Sequence, residues 1–512
     1  MTFQRYVGVC VLAGSLVLAL GQTLAAASAA ADDKAPLTAD AVHEEVQEAF
    51  AKARKEEYQA ADRQLRAVID TKAFLELPKR EQGLALWMSS AVAADARRWK
   101  EAQALAIRAT EADPDNKDLW HHRFGLAFGM GDLHDAARSI TTIAERWPST
   151  LADIKDSNVL HIARDLGKEK SGQHDWLRMV EALRAADWRF SSQAEPSWLW
   201  RELTLYYIKH RDWERAAQVA GHVTNPQVLV GMRAHRQFDR VLANHRLAND
   251  IDRAITEEID LLRVASRRAP EAMDTRNELA WALLGANRNE EALALVDETL
   301  ARARAADNKD NPAFDDMNDQ LNWAYDLRAR ALRALGRWDE AVAQWIEGRN
   351  TREQGDVNVS QVINLADFYC ELGRPQEARA ELETVGPMSP YGMMQLEGVR
   401  YDAALQLNDE AEATRALKYL REHQADAPSA YQWALALGND AQAGAKLLIA
   451  RLRDPDLRTE ALADIQEYVS GARTPRQEQW TANFRAMIAR PDVQRAVAKV
   501  GRIGRYNLVQ IG

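Results

Sequence analysis

Ala102 is followed 34 residues later by Ala136, and the same interval links Pro114 to Pro148, Leu86 to Trp120 and Trp99 to Leu133. Helix-length apolar patterns lie between these marks, so the interval predicts stacked pairs of antiparallel helices. Each mark has a physical job. A small side chain such as Ala102 lets two helices approach closely, and the large residue three positions earlier covers the gap. Pro114 cannot continue a helix, while Asp115 and Asn116 are able to cap the next one. A chain of 512 residues is too long for one ordinary core, but stacking removes that limit because each pair buries its face on the next. Only 25 glycines and 15 prolines also favour helix over a turn-rich β architecture.

The fullest copy is 200–216. Trp200, Leu203 and Tyr207 share one face of a first helix, Trp213 and Ala216 open a second, and Ala220 continues its stripe. The register recurs at Leu279, Leu283 and Ala292, at Leu332, Gly336, Trp338 and Ala341, and at Leu365, Tyr369, Gly373 and Ala378 with Pro390 closing the copy. A weaker copy centres on Ala413, and 56–69 and 428–461 read as degenerate flanking copies. On these residues the chain resembles the tetratricopeptide repeat (TPR) family, although Thr204 stands where the family usually has glycine. The resemblance spans most of residues 40–460. It implies an all-α superhelical solenoid of antiparallel helix pairs and is nearly silent on activity, because such repeats serve many functions.

The array is irregular. From Ala136 to Ala216 is 80 residues and from Ala216 to Ala292 is 76, after which 49, 37 and 35 separate Ala292, Ala341, Ala378 and Ala413. Loop insertions and divergent units near 157–190 and 232–268 account for these values. The expected organisation is a signal peptide at 1–31, a helical region with a degenerate repeat at 32–80, the repeat array at 81–460, and a helical cap and tail at 461–512.

Arg5, the short apolar run 7–20 and the small residues of 24–33 have the form of a secretory signal, with candidate cleavage after Ala29 or Ala31. Retention as a membrane anchor is the alternative; a lipid anchor on Cys10 is disfavoured, because Val9 stands where a small residue is required. No later stretch approaches a membrane span. The chain is thus expected to be periplasmic or secreted, and loss of Cys10 would leave Cys370 as the sole cysteine and no internal disulfide. The formal net charge of −10, with scattered basic residues, argues against a nucleic-acid partner.

Catalytic and metal signatures fail. His43-Glu44-Glu45-Val46-Gln47 lacks the second histidine of a zinc-protease helix. His121 and His122 are about 100° apart on a helix and do not readily share a metal. The Asp/Asn-rich run 307–319 lacks the glycine and closing glutamate of an EF-hand and reads as a solvated insertion. No enzyme and no cofactor are expected.

Most of the 15 tryptophans fall on repeat-core positions: Trp99, Trp213 and Trp338 precede a small-residue mark by three, Trp120 and Trp200 by sixteen. Trp87, Trp198, Trp281 and Trp323 differ. The repeat register places them on first-helix positions that line the inner wall of such superhelices, with core packing as the alternative. The same register adds Arg201, Glu202, Lys209, Asn277, Asp326, Arg330, Arg333, Asn364 and Asp367. Some family members grip a terminal carboxylate with an ordered Lys/Asn/Arg set, which is not present here. A mixed aromatic and charged wall suits an extended or helical protein segment. The leading reading is a periplasmic scaffold that binds a protein partner, either a peptide segment or an envelope protein. The alternatives are an accessory subunit of envelope polysaccharide or outer-membrane assembly, and an enzyme with no recognisable motif.

Overall fold

The computed structural model describes residues 37–305, 313–351, 358–383, 385–386 and 388–510. The expected signal segment 1–31 and residues 307–312 of the acidic run lie outside the described residues. Apart from two two-residue parallel strands, Glu467–Tyr468 and Arg505–Tyr506, the regular structure described is helical. The chain divides into two compact units, one ending at Trp188 and one beginning at Arg189, so the boundary falls inside the repeat array.

In the first unit, Ala39–Ala53 pairs with Tyr58–Val68, Lys79–Asp95 with Trp99–Ala112, Lys117–Met130 with Leu133–Arg146, and Asp156–Lys168 with Gln173–Ala185. The divergent stretch near 157–190 is therefore a helix pair. In the second unit, Ser197–Lys209 pairs with Trp213–Ala220. Regular pairs then begin at Met273–Gly285, Met317–Ala334, Val359–Glu371, Pro390–Leu407 and Pro428–Leu437. Between them the stretch near 232–268 is irregular: Pro226–Ala234, two one-turn helices, and the long Ile251–Arg268 helix.

One backbone device explains the alanine register. Arg97, Gly131, Arg211, Asn287, Gly336, Gly373, Asn408 and Asn439 all have positive φ, and each stands two residues before a second helix. The bonds around them close a Schellman turn. Arg98 N–H donates to the Ala93 carbonyl at 2.8 Å, Asp212 N–H to Tyr207 at 2.9 Å, and Arg374 N–H to Tyr369 at 2.8 Å. A left-handed arginine costs about 1–2 kcal/mol that glycine avoids, and the turn's paired carbonyls offset it. Five residues after the left-handed position comes the close helix approach. Ala102, Ala136, Ala216, Ala292, Ala341 and Ala378 are fully buried there, whereas Ala413 is only half-buried. Ala61, five residues beyond the left-handed Glu56, extends the series to the first pair.

This packing sets a stability expectation. Ala216→Leu adds three carbon atoms where the two helices have no room, so urea unfolding should show a loss of about 1–3 kcal/mol. An unchanged midpoint would mean that Ala216 is not at the contact.

Two expectations are corrected. Trp120 is half-buried rather than a core residue; its indole donates to the Pro114 carbonyl at 3.0 Å, and Leu119 fills the core. The described part of 307–319 is not a solvated loop. Phe314 is buried beneath the Arg302 guanidinium, 4.4 Å from its ring centre, and Asp316 caps the next helix by accepting from Met273 and Asp274 N–H at 2.7 and 2.8 Å.

Residues 465–510 do more than cover the last repeat. In the second unit they return along the C-terminal ends of successive first helices. Such ends expose carbonyls with no partner inside the helix, and the returning segment supplies donors. Val509 N–H donates to Gly285 at 2.7 Å, Ala472 N–H to Ala334 at 2.8 Å, and the Asn483 amide to Ala436 at 2.9 Å. Met487, Val493 and Val497 share a core with Ala234, Leu448 and Leu462, joining the start of this unit to its end.

Candidate functional site

Successive residues on a helix turn by 100°, so positions spaced three, four and seven apart share one stripe. Trp323, Asp326, Arg330 and Arg333 form such a stripe on Met317–Ala334. Asn364, Asp367 and Glu371 form the next on Val359–Glu371, and Tyr391, Gly398 and Asp402 the next on Pro390–Leu407. These first helices form the inner wall of the second unit. The structure brings six of the expected residues, Trp281, Asp326, Arg330, Arg333, Asn364 and Asp367, into one connected set.

Asp326 is at its centre, and it is wholly buried (0 % exposed) rather than lining an open groove. One carboxylate oxygen accepts from the Trp345 indole at 2.8 Å and the Asn364 amide at 2.9 Å, the other from Arg330 Nε at 2.6 Å. Trp345 reaches this point from the outer Trp338–Arg349 helix and tilts against Phe368, ring centres 4.8 Å apart. It enters because Met317–Ala334 and Val359–Glu371 have little direct backbone contact, unlike the inner helices on either side. The seam is closed by side chains instead. Arg333 donates to Glu371 across it at 2.5 Å, and Arg330 lies 5.3 Å from the Trp281 ring centre.

The electrostatics of the seam are uneven. Arg330 faces Asp326, Arg333 faces Glu371, and Arg476 of the returning segment pairs with Asp402. A fourth acid, Asp367, accepts no hydrogen bond from a described residue. Burial and then the neighbouring Glu371 carboxylate push its carboxyl up, against the pull of Arg333 and Arg330. Burial also raises Glu371, whose Oε1 accepts from Arg333 and from the Gln477 amide at 2.9 Å while Oε2 has no partner.

The other expected wall residues separate. Trp281 and Trp323 are open to solvent at 36 % and 38 %. Asn277 is a buried tie (7 % exposed) whose amide donates to the Gln320 carbonyl at 3.1 Å. Arg201 and Glu202 pair with each other at 2.6 Å, and exposed Lys209 pairs with Asp456 at 2.9 Å. Trp198 is half-buried. Trp87 lies in the first unit, half-buried and edge-on to His122 at 6.2 Å between ring centres. Beside it the buried His122 ring meets the Ser90 hydroxyl at 2.9 Å, but that hydroxyl also donates to the Ala102 carbonyl at 2.7 Å, which commits it to the fold. Cys370 is buried, and no group of metal-ligating side chains occurs among the described residues. No helix among them is long and apolar enough to cross a membrane.

Sequence reasoning missed Glu371, Asp402, Arg476 and Gln477. Glu371 was within reach, being four residues beyond Asp367 on the same stripe. Arg476 had no local signal, since its partner is 74 residues earlier.

No family model matches the sequence, and no curated protein matches it. Among solved structures, the TPR domain of P58(IPK) is similar over 78 % of this chain and 99 % of its own, at 15 % identity and a TM-score of 0.20. Yeast Tom70 is similar over 82 % and 99 % at 14 % identity and 0.28. A Rap protein complexed with competence and sporulation factor is similar over 82 % and 99 % at 14 % identity and 0.33. Likeness at this level bears on neither partner nor activity.

Proposed function

We propose that this helical-repeat chain is a non-enzymatic scaffold that holds a segment of a partner protein against the inner wall of its second unit, and that it works in the periplasm. The location rests on the residues of 1–31 alone. The binding role is supported by one observation above others: Trp281 and Trp323 stay more than a third exposed on the inner stripes of adjacent first helices. Large aromatics facing solvent beside an arginine are the side chains that dominate protein interfaces. The rest of the wall is committed to holding itself together, so these two rings mark the stretch left open.

The test is a selection of random displayed peptides on the full chain, followed by affinity measurements on the Trp281→Ala/Trp323→Ala double variant. Both side chains are exposed enough that unfolding should shift little. Selected peptides should lose at least about tenfold in affinity. Undiminished binding to the double variant, or no enriched peptide at all, would overturn the reading.

A further inference from the structure

We propose that the seam between Met317–Ala334 and Val359–Glu371 is a recognition slot for one basic side chain, an arginine or lysine, of the partner segment, with Asp367 as its counter-charge. The proposal rests on the reading of the inner wall as a protein-binding surface and adds what that surface selects.

Three observations converge on it. The first is geometric. The two inner helices stand apart, and Trp345 and Asp326 fill the outer depth of the seam, leaving Asp367 half-buried on its inner side. The second is a charge count. Asp326, Glu371 and Asp402 each have an arginine within hydrogen-bond reach, and Asp367 has none. A carboxylate enclosed among acids with no donor is expensive to keep unless something supplies the missing donor. The third is independent of Asp367. Glu371 is only 8 % exposed and its Oε2 has no partner, so a second acceptor waits in the same slot. A guanidinium or ammonium group entering the slot satisfies both oxygens with charge-assisted bonds. The entrance is dressed for such a group, because Arg330 already rests near the face of Trp281, the arrangement in which aromatic rings attract cations.

Asp367 also has the profile of a group kept for binding rather than for folding. Burial and Glu371 oppose its ionised form, so an uncharged isostere relieves the fold. Asp367→Asn is therefore expected to melt at the same temperature as the native chain or higher, while binding less well.

The experiment uses the same displayed random peptides, selected in parallel on the full native chain and on the full Asp367→Asn chain. The native selection should enrich arginine or lysine at one fixed position. Those peptides should lose at least about tenfold in affinity on Asp367→Asn, and also when their basic residue becomes glutamine. Enriched peptides that depend on Trp281 and Trp323 but carry no fixed basic residue, or bind Asp367→Asn equally well, would overturn the slot and leave the wall intact. Peptides insensitive to Trp281 and Trp323 would remove both readings. A melting temperature for Asp367→Asn clearly below the native value would make Asp367 a structural acid and also overturn the proposal.

Discussion

Asp326→Ala is expected to lower the stability of the second unit by about 3–5 kcal/mol, the range for breaking a buried ion pair by removing one partner. The carboxylate is fully buried and answers three donors at once, from Trp345, Asn364 and Arg330. Alanine leaves an indole N–H inside the seam with no acceptor and a guanidinium without its counter-charge. The Arg330 side chain is 18 % exposed, so it recovers part of its solvation by moving outward, which places the cost near the lower end. Asp326→Asn retains an acceptor and the volume and should cost less, about 1–3 kcal/mol. Urea unfolding gives the totals, and hydrogen exchange gives the location: protection should fall first across Met317–Ala334 and Val359–Glu371. A loss below about 1 kcal/mol for alanine would mean that solvent already reaches Asp326.

The contrast with Asp367 shows what was legible in the sequence. Both residues belong to the inner stripes, and helical register alone is enough to put them there. Register depends on local turns, and these were readable because the left-handed residue and the small residue five positions later recur from Arg97 and Ala102 to Gly373 and Ala378. Burial within a stripe is not local. Asp326 is covered because a tryptophan 19 residues later inserts through a seam whose width depends on how two pairs lean together. Asn277 is covered because Gln320, 43 residues on, offers it a carbonyl. No pattern of 34 residues encodes those distances, so the inner wall was named correctly as a set of positions while its exposed members were not separated from its buried ones. The Phe314 anchor was hidden for another reason. Its neighbours Asn311, Asp315, Asp316 and Asn318 dominate the composition, and the single aromatic that fixes the stretch weighs little against them.

The largest effect is expected from the segment that no repeat period describes. A chain ending at Ser470 loses Met487, Val493, Val497 and Leu508, all nearly fully buried. At about 1.5–3 kcal/mol for each buried side chain, the apolar loss alone approaches the whole stability of a typical domain. It also strips donors from the Gly285, Ala334 and Ala436 carbonyls and uncovers Ala234, Leu448 and Leu462. The damage should not be uniform. Residues 226–249 contain two one-turn helices and lean on the C-terminal segment through Ala234, His235 and Asp239, so they should lose exchange protection first. The pairs from Asn289 to Arg349 pack on one another and should keep theirs. A point change isolates the same joint. At Gly501 the backbone is extended, so glycine is needed there for space and not for its φ. A Cβ would run into the Ala234 carbonyl and stand 2.6 Å from a Leu462 methyl. Gly501→Val must therefore push the end of the chain off Pro226–Ala234. Exchange in 226–249 should accelerate as in the truncated chain while Pro475–Ile488, held by Arg476 to Asp402 and by Met487, remains protected. If Gly501→Val leaves 226–249 as protected as in the native chain, the returning segment is an ornament on a unit that closes without it.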